Sequence, residues 1–432
     1  MIQRRTFLQA AIGISLTGLI PLDVQSSQYR TRQHRALRGY LRTNWSLDPY
    51  SFGSYSFIAR GARRNHPAIL GRSVGNRLFF AGEATHPSYQ STVHAALESG
   101  FIAADAVTKT KAHTVAIIGA GASGLTAATR LSDSGYDVTV FEARDRIGGR
   151  IWTDMRLGIP LDLGASWIHG TDGTLADNSP ADKNPTDKNP ADRNPLISLG
   201  KELGITTIVT RDSFVMRGAG GLRMGYRDEP DWLEEVLEVQ HSAGAALKDI
   251  NIGAYWHESD YTGDDLLIPG GYSQIFNALP GGIDVRLGQE IRAVRLDAGS
   301  VQLQDHQGQN ADFDAVIITV PLGVLKQGTI TFTPPLSVDK QDAIARLGMG
   351  LLDKIYLKYD EVFWDKDVTW IVTPENNLPR GQFNQWLNLF PYIGEPVIMA
   401  FNGAQPARDL ASLSDLELVA RAEQTLHMAY PW

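Results

Sequence analysis

Residues 114–142 constrain the fold of this 432-residue chain more than any other stretch. Thr114-Val-Ala-Ile-Ile118 is a short apolar run of the kind that forms a strand buried on both faces of a parallel sheet. Gly119-Ala-Gly121-Ala-Ser123-Gly124 follows at once, Leu125 to Leu131 reads as a helix, and Gly135-Tyr-Asp137 ends it. Val138-Thr-Val-Phe141 then forms a second strand finishing at Glu142. Together these make a βαβ unit with G-x-G-x-x-G at its first turn and an acid about twenty residues further on. Gly119 permits the tight turn, Gly121 lets the backbone approach a pyrophosphate, and Gly124 allows close helix–strand packing. The helix N-terminus, with Ser123 in it, offers free N–H groups and partial positive charge to the phosphates. Glu142 is placed to accept hydrogen bonds from the adenosine ribose. One glycine loop leaves NAD and FAD equally open.

The next residues decide between them. Arg144-Asp-Arg-Ile-Gly148-Gly149-Arg150 adds a second glycine pair with flanking cations, bringing more backbone to the same pyrophosphate. Here the chain resembles the flavin amine oxidases, the family of monoamine oxidases, polyamine oxidases and flavin-dependent histone lysine demethylases. Glu142 through Arg150 matches the second motif of that family, and Leu161-Asp-Leu-Gly164-Ala165-Ser166-Trp167-Ile-His169-Gly170 matches the motif after it. Phe313 to Leu325 resembles the strand that returns to the FAD domain. Gly350-Leu-Leu-Asp-Lys354-Ile, with Phe363-Trp364 after it, resembles the segment carrying the active-site lysine. Ile291 sits where the backbone of the family meets the adenine. The resemblance covers nearly the whole chain. It implies an α/β fold: a Rossmann-like, three-layer FAD-binding domain plus a mixed-sheet α+β substrate domain.

The motifs come in an unusual order. Asn44 to Tyr50, Gly53-Ser54-Tyr55-Ser56, Leu78-Phe-Phe-Ala-Gly82-Glu83-Ala-Thr85 and Ser91-Thr92-Val93-His94 resemble carboxy-terminal motifs of the family, yet all precede the glycine loop. Relative to the family, the sequence reads as circularly permuted. The last family helix is expected from about Thr92 to Val107, with Val93, Ala96, Leu97, Gly100, Phe101 and Ala104 on one face. Thr108 to His113 is then the new joint, a normal connection length. A rearranged reading frame giving no active protein is the alternative. The expected FAD-binding parts are residues 70–170 and 266–326, and the substrate-domain parts are 28–69, 196–265 and 327–432.

The resemblance also implies chemistry. Lys354 takes the place of the lysine that holds a water against flavin N5; otherwise it is a surface lysine on the alternating run Lys354-Ile-Tyr-Leu-Lys358. Tyr55 matches the aromatic ring beside the flavin face, and Thr92 stands opposite, so the aromatic cage is half built. Ser54 replaces the flavin-linking cysteine of monoamine oxidases, so FAD is expected to be noncovalent. Gly82 and Glu83 belong to the flavin segment, with Glu83 hydrogen-bonding the ribityl chain, and Thr92-Val93 at a helix start faces the flavin pyrimidine end. His169 occupies a position that faces the amine chain in several polyamine oxidases, although a hydrogen-bonding core role fits it equally. Trp45, Trp167 and Trp364 read as packing residues rather than substrate contacts, and the resemblance places Gly164, Ala165, Ser166 and Trp167 among the cofactor-binding residues.

Composition narrows the rest. A net charge of −8 argues against a general nucleic-acid binder, and the lack of cysteine excludes disulfides, thiolate metal sites and a cysteinyl flavin link. No His/Asp/Glu cluster proposes a metal. Arg4-Arg5-Thr6-Phe7-Leu8 before an apolar run from Ala10 to Leu22 resembles a twin-arginine export signal over residues 1–27. That implies a periplasmic or extracellular protein without stable membrane insertion, or a cytoplasmic one if the signal does not function. Four Asp-, Asn- and Pro-rich pentapeptides from Ala176 to Pro195 are expected to form a solvated loop within residues 171–195. The leading expectation is oxidation of a polyamine-like primary or secondary amine, with O2 reduced to hydrogen peroxide. An L-amino-acid oxidase, using Arg380 or Arg217 for the carboxylate, stays open, as does a flavin-binding pseudoenzyme.

Overall fold

The computed structural model describes residues 35–171, 194–255, 261–279 and 281–431. The twin-arginine segment and most of the pentapeptide repeat lie outside the described residues. The apolar runs of the sequence assemble into a parallel five-stranded sheet in the order Asp284–Arg286, Asp137–Phe141, Thr114–Ile118, Ala315–Ile318, Leu78–Phe80. Side chains alternate across this sheet. Phe79, Val115, Ile117, Val138, Val140 and Ile317 pack under the helices Val93–Val107 and Ala122–Asp133. Leu78, Phe80, Ala116, Ile118, Phe141 and Ile318 pack instead against a four-stranded layer of Ile291–Leu296, Val301–Asp305, Asn310–Phe313 and Thr331–Thr333. Helices, parallel sheet and mixed four-stranded layer are the three layers. Each large apolar side chain sealed between them contributes about 1.5–3 kcal/mol.

Several expectations need correction. Thr331–Thr333 pairs in parallel with Ile291–Leu296, so the four-stranded layer is mixed and runs past the boundary placed at residue 326. The chain returns to that layer before it enters the other half. The glycine-loop helix starts at Ala122 rather than Leu125, because the last loop residues form its first turn, with Leu125 N–H bonded to Gly121 C=O at 2.9 Å. In the helix Val93–Val107, Phe101 is 41% exposed, and the buried stripe runs through Leu97, Gly100, Ala103, Ala104 and Val107. Close crossing of the two helices explains this: a Cβ on Gly100 would lie 2.4 Å from the Ser123 carbonyl oxygen. The end of the repeat is also not solvated. Asn194 is fully buried, caps the helix Pro195–Glu202 and donates to the His169 carbonyl at 2.7 Å.

A second, mixed sheet carries seven strands in the order Leu37–Arg42, Leu352–Tyr359, Val397–Gly403, Gln385–Asn388, Trp370–Val372, Phe214–Arg217, Arg223–Met224. Period-two alternation divides its faces. Ile355, Leu357, Ile371, Trp386, Ile398 and Ala400 pack beneath the helix Asp415–Ala429 through Leu418, Val419, Ala422 and Leu426. Tyr356, Trp370, Leu387, Met399 and Phe401 turn the other way, toward Leu161, Leu163 and Trp167. On that face Lys354 stands directly opposite Phe401, and Phe401 opposite Gln385, one row across three neighbouring strands. Among the described residues no helix is long and apolar enough to cross a membrane.

Candidate active site

Between the two sheets lies a cavity of about 380 Å³. Its dinucleotide end is built from backbone. A Cβ on Gly124 would fall 1.9 Å from the Gly119 carbonyl oxygen, so helix and loop touch without room for a side chain. A Cβ on Gly164 would fall 1.7 Å from the Arg150 carbonyl oxygen, which brings the 164–167 segment against the second glycine motif. Gly119, Gly121, Ser123, Gly148, Gly149, Gly164 and Ala165 therefore line the cavity, whereas Gly124 lies beneath it. Their exposed backbone and the N-terminus of a 12-residue helix form a cradle suited to a pyrophosphate. Ile291 closes the side where an adenine is expected. These residues fit FAD.

The charged residues singled out in the sequence are held by protein partners at the rim. Glu142 accepts the N–H groups of Ala120 at 2.7 Å and Arg144 at 2.9 Å. Arg144 forms a two-pronged pair with Asp48 at 2.7 and 2.9 Å. Arg150 donates to Glu83 at 2.7 Å and to the Ser54 carbonyl at 3.0 Å. The other Glu83 oxygen accepts Ser56 Oγ–H at 2.6 Å and Ser91 N–H at 3.0 Å. Gly82 also lines this rim. Thr92 is the cap of the 15-residue helix: its hydroxyl accepts Ala95 N–H at 3.1 Å and donates to the Tyr89 carbonyl at 2.8 Å. Thr92 and Val93 present that helix start to the cavity.

At the substrate end the strand-borne Lys354 is 5% exposed, not a surface residue. Its Nζ donates to the Asp162 carbonyl at 2.9 Å, the Gly164 carbonyl at 2.6 Å and Ser166 Oγ at 2.6 Å. Burial pulls the Lys354 ammonium below its ordinary range, while the Asp162 carboxyl, itself pushed up by burial, opposes that pull. Tyr55 donates its hydroxyl to the His241 carbonyl at 2.5 Å, which fixes its ring at the wall. His169 faces Asp265 with Nδ1 3.1 Å from the carboxylate.

Trp364 is a packing residue, buried behind the second sheet with its indole N–H on Asn388 at 2.8 Å. Trp45, read as a packing residue, lines the cavity as well, and Trp167 lines it together with Gly164, Ala165 and Ser166 of the same motif. In the two-residue strand Trp167-Ile168, Ile168 takes the core position, so alternation turns Trp167 to the cavity, where it stacks on Trp370 at 6.1 Å. Sequence reading missed Trp370, Phe401, Gln385, His241, Asp212 and Glu238, all of them cavity residues. None stands in a motif; the strand alternation around Phe401 was the available hint.

The family described as "Flavin containing amine oxidoreductase" matches residues 22–108, 122–179 and 212–431. The chain is 32% identical over 348 residues to Polyamine oxidase 4 of Oryza sativa subsp. japonica, covering 71% of this chain and 70% of that protein. It is 31% identical over 348 residues to Polyamine oxidase 2 of Arabidopsis thaliana, with the same shares. It is 27% identical over 353 residues to Lysine-specific histone demethylase 2 of Homo sapiens, covering 72% of this chain and 43% of that protein. A solved structure of putrescine oxidase bound to putrescine has the same fold, with a TM-score of 0.53 and 21% identity over 74% of this chain and 81% of that one. The chain thus belongs to the flavin containing amine oxidoreductase family, as an enzyme that oxidises an amine with FAD and releases hydrogen peroxide.

Proposed function

We propose that the substrate is a polyamine-like primary or secondary amine. One observation carries this reading: the charge on the substrate half of the cavity wall. Asp212, Glu238, Asp264 and Asp265 line it, and burial together with the neighbouring Asp265 and Asp264 carboxylates pushes Asp212 above its ordinary range. A wall of this sign attracts an elongated cation. The cavity-lining Arg144, Arg150 and Lys354 are engaged by Asp48, by Glu83 and by the Asp162–Ser166 acceptors. Arg217 and Arg380, the candidates for a substrate carboxylate, do not line the cavity, and Arg217 is paired with Asp365 at 2.6 Å. An amino-acid substrate is correspondingly disfavoured.

Bound FAD supplies the two-electron oxidant and the route of those electrons to O2. The residues of the chain do the rest. Tyr55, Trp167, Trp370 and Phe401 wall an apolar compartment that strips water from the amine. Lys354, with Ser166, holds a proton-bearing network at its end. The helix start at Thr92-Val93 favours negative charge developing beside it. Ser54 at the linking position makes the FAD noncovalent.

Purified FAD-loaded protein should release peroxide with spermidine or putrescine and not with L-amino acids; the reverse pattern would sink the polyamine assignment. The Arg4-Arg5 motif supports export of the folded protein, so activity should leave the cytoplasm and stay there when both arginines are lysines.

The order of the motifs further supports a circular permutation with Thr108 to His113 as the joint. That segment is short, and the Asp314 carboxylate ties its end by accepting the N–H groups of His113 at 2.8 Å and Thr114 at 2.9 Å. A chain reopened within residues 108–113, with residue 431 linked to residue 35, should fold, load FAD and oxidise the same amine. Failure to load FAD would count against the permutation.

A further inference from the structure

A second, smaller cavity of about 30 Å³ lies on the same face of the mixed sheet as Lys354. It sits one side-chain row along from the Lys354–Phe401–Gln385 row: Tyr356 stands opposite Met399, and Met399 opposite Leu387. Tyr356 and Leu387 line the small cavity, whereas Lys354, Phe401 and Gln385 line the large one. Ser166 borders both. Buried hydrogen bonds hold this partition together. Lys354 Nζ and the Tyr356 hydroxyl both donate to the Asp162 carbonyl, at 2.9 and 2.6 Å, and Lys354 Nζ also donates to Ser166 Oγ at 2.6 Å. The wall also includes Pro160, Pro269 and Ile393, which are partly exposed. The small cavity is thus a cleft between half-exposed residues and the back of the lysine network.

The chemistry of its wall decides what can occupy it. About 10–15 Å³ is enough for one water, so there is room for a water or a diatomic molecule. Water, however, needs two to four polar partners, and the polar side chains of this wall are already engaged. The Asp162 carboxylate accepts Thr153 Oγ1–H at 2.6 Å and Tyr272 N–H at 3.0 Å. The Tyr392 hydroxyl meets Thr369 Oγ1 at 2.5 Å and accepts Arg211 N–H at 3.1 Å. Leu161, Leu267, Leu387, Leu389 and Ile393 make the rest of the wall largely aliphatic. Such a wall leaves a water without partners and an ammonium without a counter-ion, and it suits a small apolar molecule. The large cavity has the opposite character, since Asp212, Glu238, Asp264 and Asp265 line its substrate half.

We propose that the cleft is the docking and entry site for dioxygen, the one apolar reactant of the oxidase, which passes beside Ser166 to the reduced cofactor. There it takes up two electrons and two protons and leaves as hydrogen peroxide. Entry from behind Lys354 lets oxygen arrive while the amine or its oxidised product still fills the large cavity. The proposal needs oxidation by O2 and is independent of which amine is the substrate.

Xenon tests the docking without any reaction. Crystals of FAD-loaded protein under xenon pressure should show xenon among Leu267, Leu387 and Leu389, and Leu389→Phe, which fills the interior, should abolish it. The kinetic arm uses FAD-loaded protein reduced with stoichiometric dithionite and then mixed with O2, so no amine is involved. Leu389→Phe and Ile393→Trp, the second at the partly exposed end, should each slow reoxidation by about tenfold, equivalent to about 1.4 kcal/mol on the barrier. Anaerobic bleaching by spermidine should keep its wild-type rate in both. Ile393→Trp carries the test if Leu389→Phe does not hold FAD. No xenon in the cleft, reoxidation at the wild-type rate, or equal slowing of bleaching and reoxidation would overturn the proposal. Failure of the polyamine reading would look different: wild-type protein would then reoxidise normally and not be bleached by spermidine.

Discussion

Replacing Lys354 with methionine should slow amine oxidation by about 100- to 10,000-fold, the range expected for loss of a positioned acid–base group. Methionine keeps the length of the side chain and removes all three of its donors. The Asp162 carbonyl would retain the Tyr356 hydroxyl at 2.6 Å, but the Gly164 carbonyl and Ser166 Oγ would lose their short bonds to Nζ. That leaves buried acceptors unpaired and should cost about 1–3 kcal/mol of stability. The two effects separate cleanly. The visible spectrum of the bound FAD reports whether the site is still formed, and anaerobic mixing with spermidine reports the rate of bleaching. A variant that binds FAD and bleaches at the wild-type rate would remove Lys354 from the chemistry and leave it a structural donor.

The second large effect is expected at Arg150. Its side chain is 22% exposed and that of Glu83 is 6% exposed, so the pair at 2.7 Å is well removed from water. Arg150→Met strands the Glu83 carboxylate, and breaking one partner of such a pair costs about 3–5 kcal/mol. The lower end is expected, because Ser56 and Ser91 still donate to Glu83. Glu83→Gln together with Arg150→Met should cost less than Arg150→Met alone, since no charge is then left buried. Thermal melts of the FAD-loaded proteins measure both. Additive losses would mean that the two residues stabilise the protein independently. The pair matters for architecture as well: Glu83 precedes the glycine loop and Arg150 follows it, so their bond fastens two separately built parts of the rim.

Local patterns carried the dinucleotide half of the molecule. A strand, a glycine turn, a helix and an acid within residues 114–142 obey short-range rules, and the structure assembles them with only the helix start moved. The substrate half was less legible because its wall is made by pairing between distant strands. Alternation in Leu352–Tyr359 separates Lys354, Tyr356 and Lys358 from Ile355 and Leu357, yet nothing local says which set meets the cavity. Gln385 and Phe401 become neighbours of Lys354 only through the register of three strands. His241 depends on a π turn whose sequence differs little from that of an ordinary helix. Phe101 was misjudged for a similar reason. Its apolar character fits a buried stripe, but the tight contact at Gly100 rotates the helix and leaves it outside.

The row of Lys354, Phe401 and Gln385 makes assembly of the site all-or-none. Side chains of a strand change face with every residue, so a slip of one position in Leu352–Tyr359 would bury Ile355 where the lysine belongs and send Lys354 beneath the helix Asp415–Ala429. A slipped Gln385–Asn388 strand would likewise put Trp386 against His241 in place of the glutamine. A misregistered sheet would therefore not be a weaker oxidase but an inert one. Because Leu352–Tyr359 meets Val397–Gly403 across a long stretch of intervening chain, no tight turn fixes that register, and the alternation of buried side chains must do so.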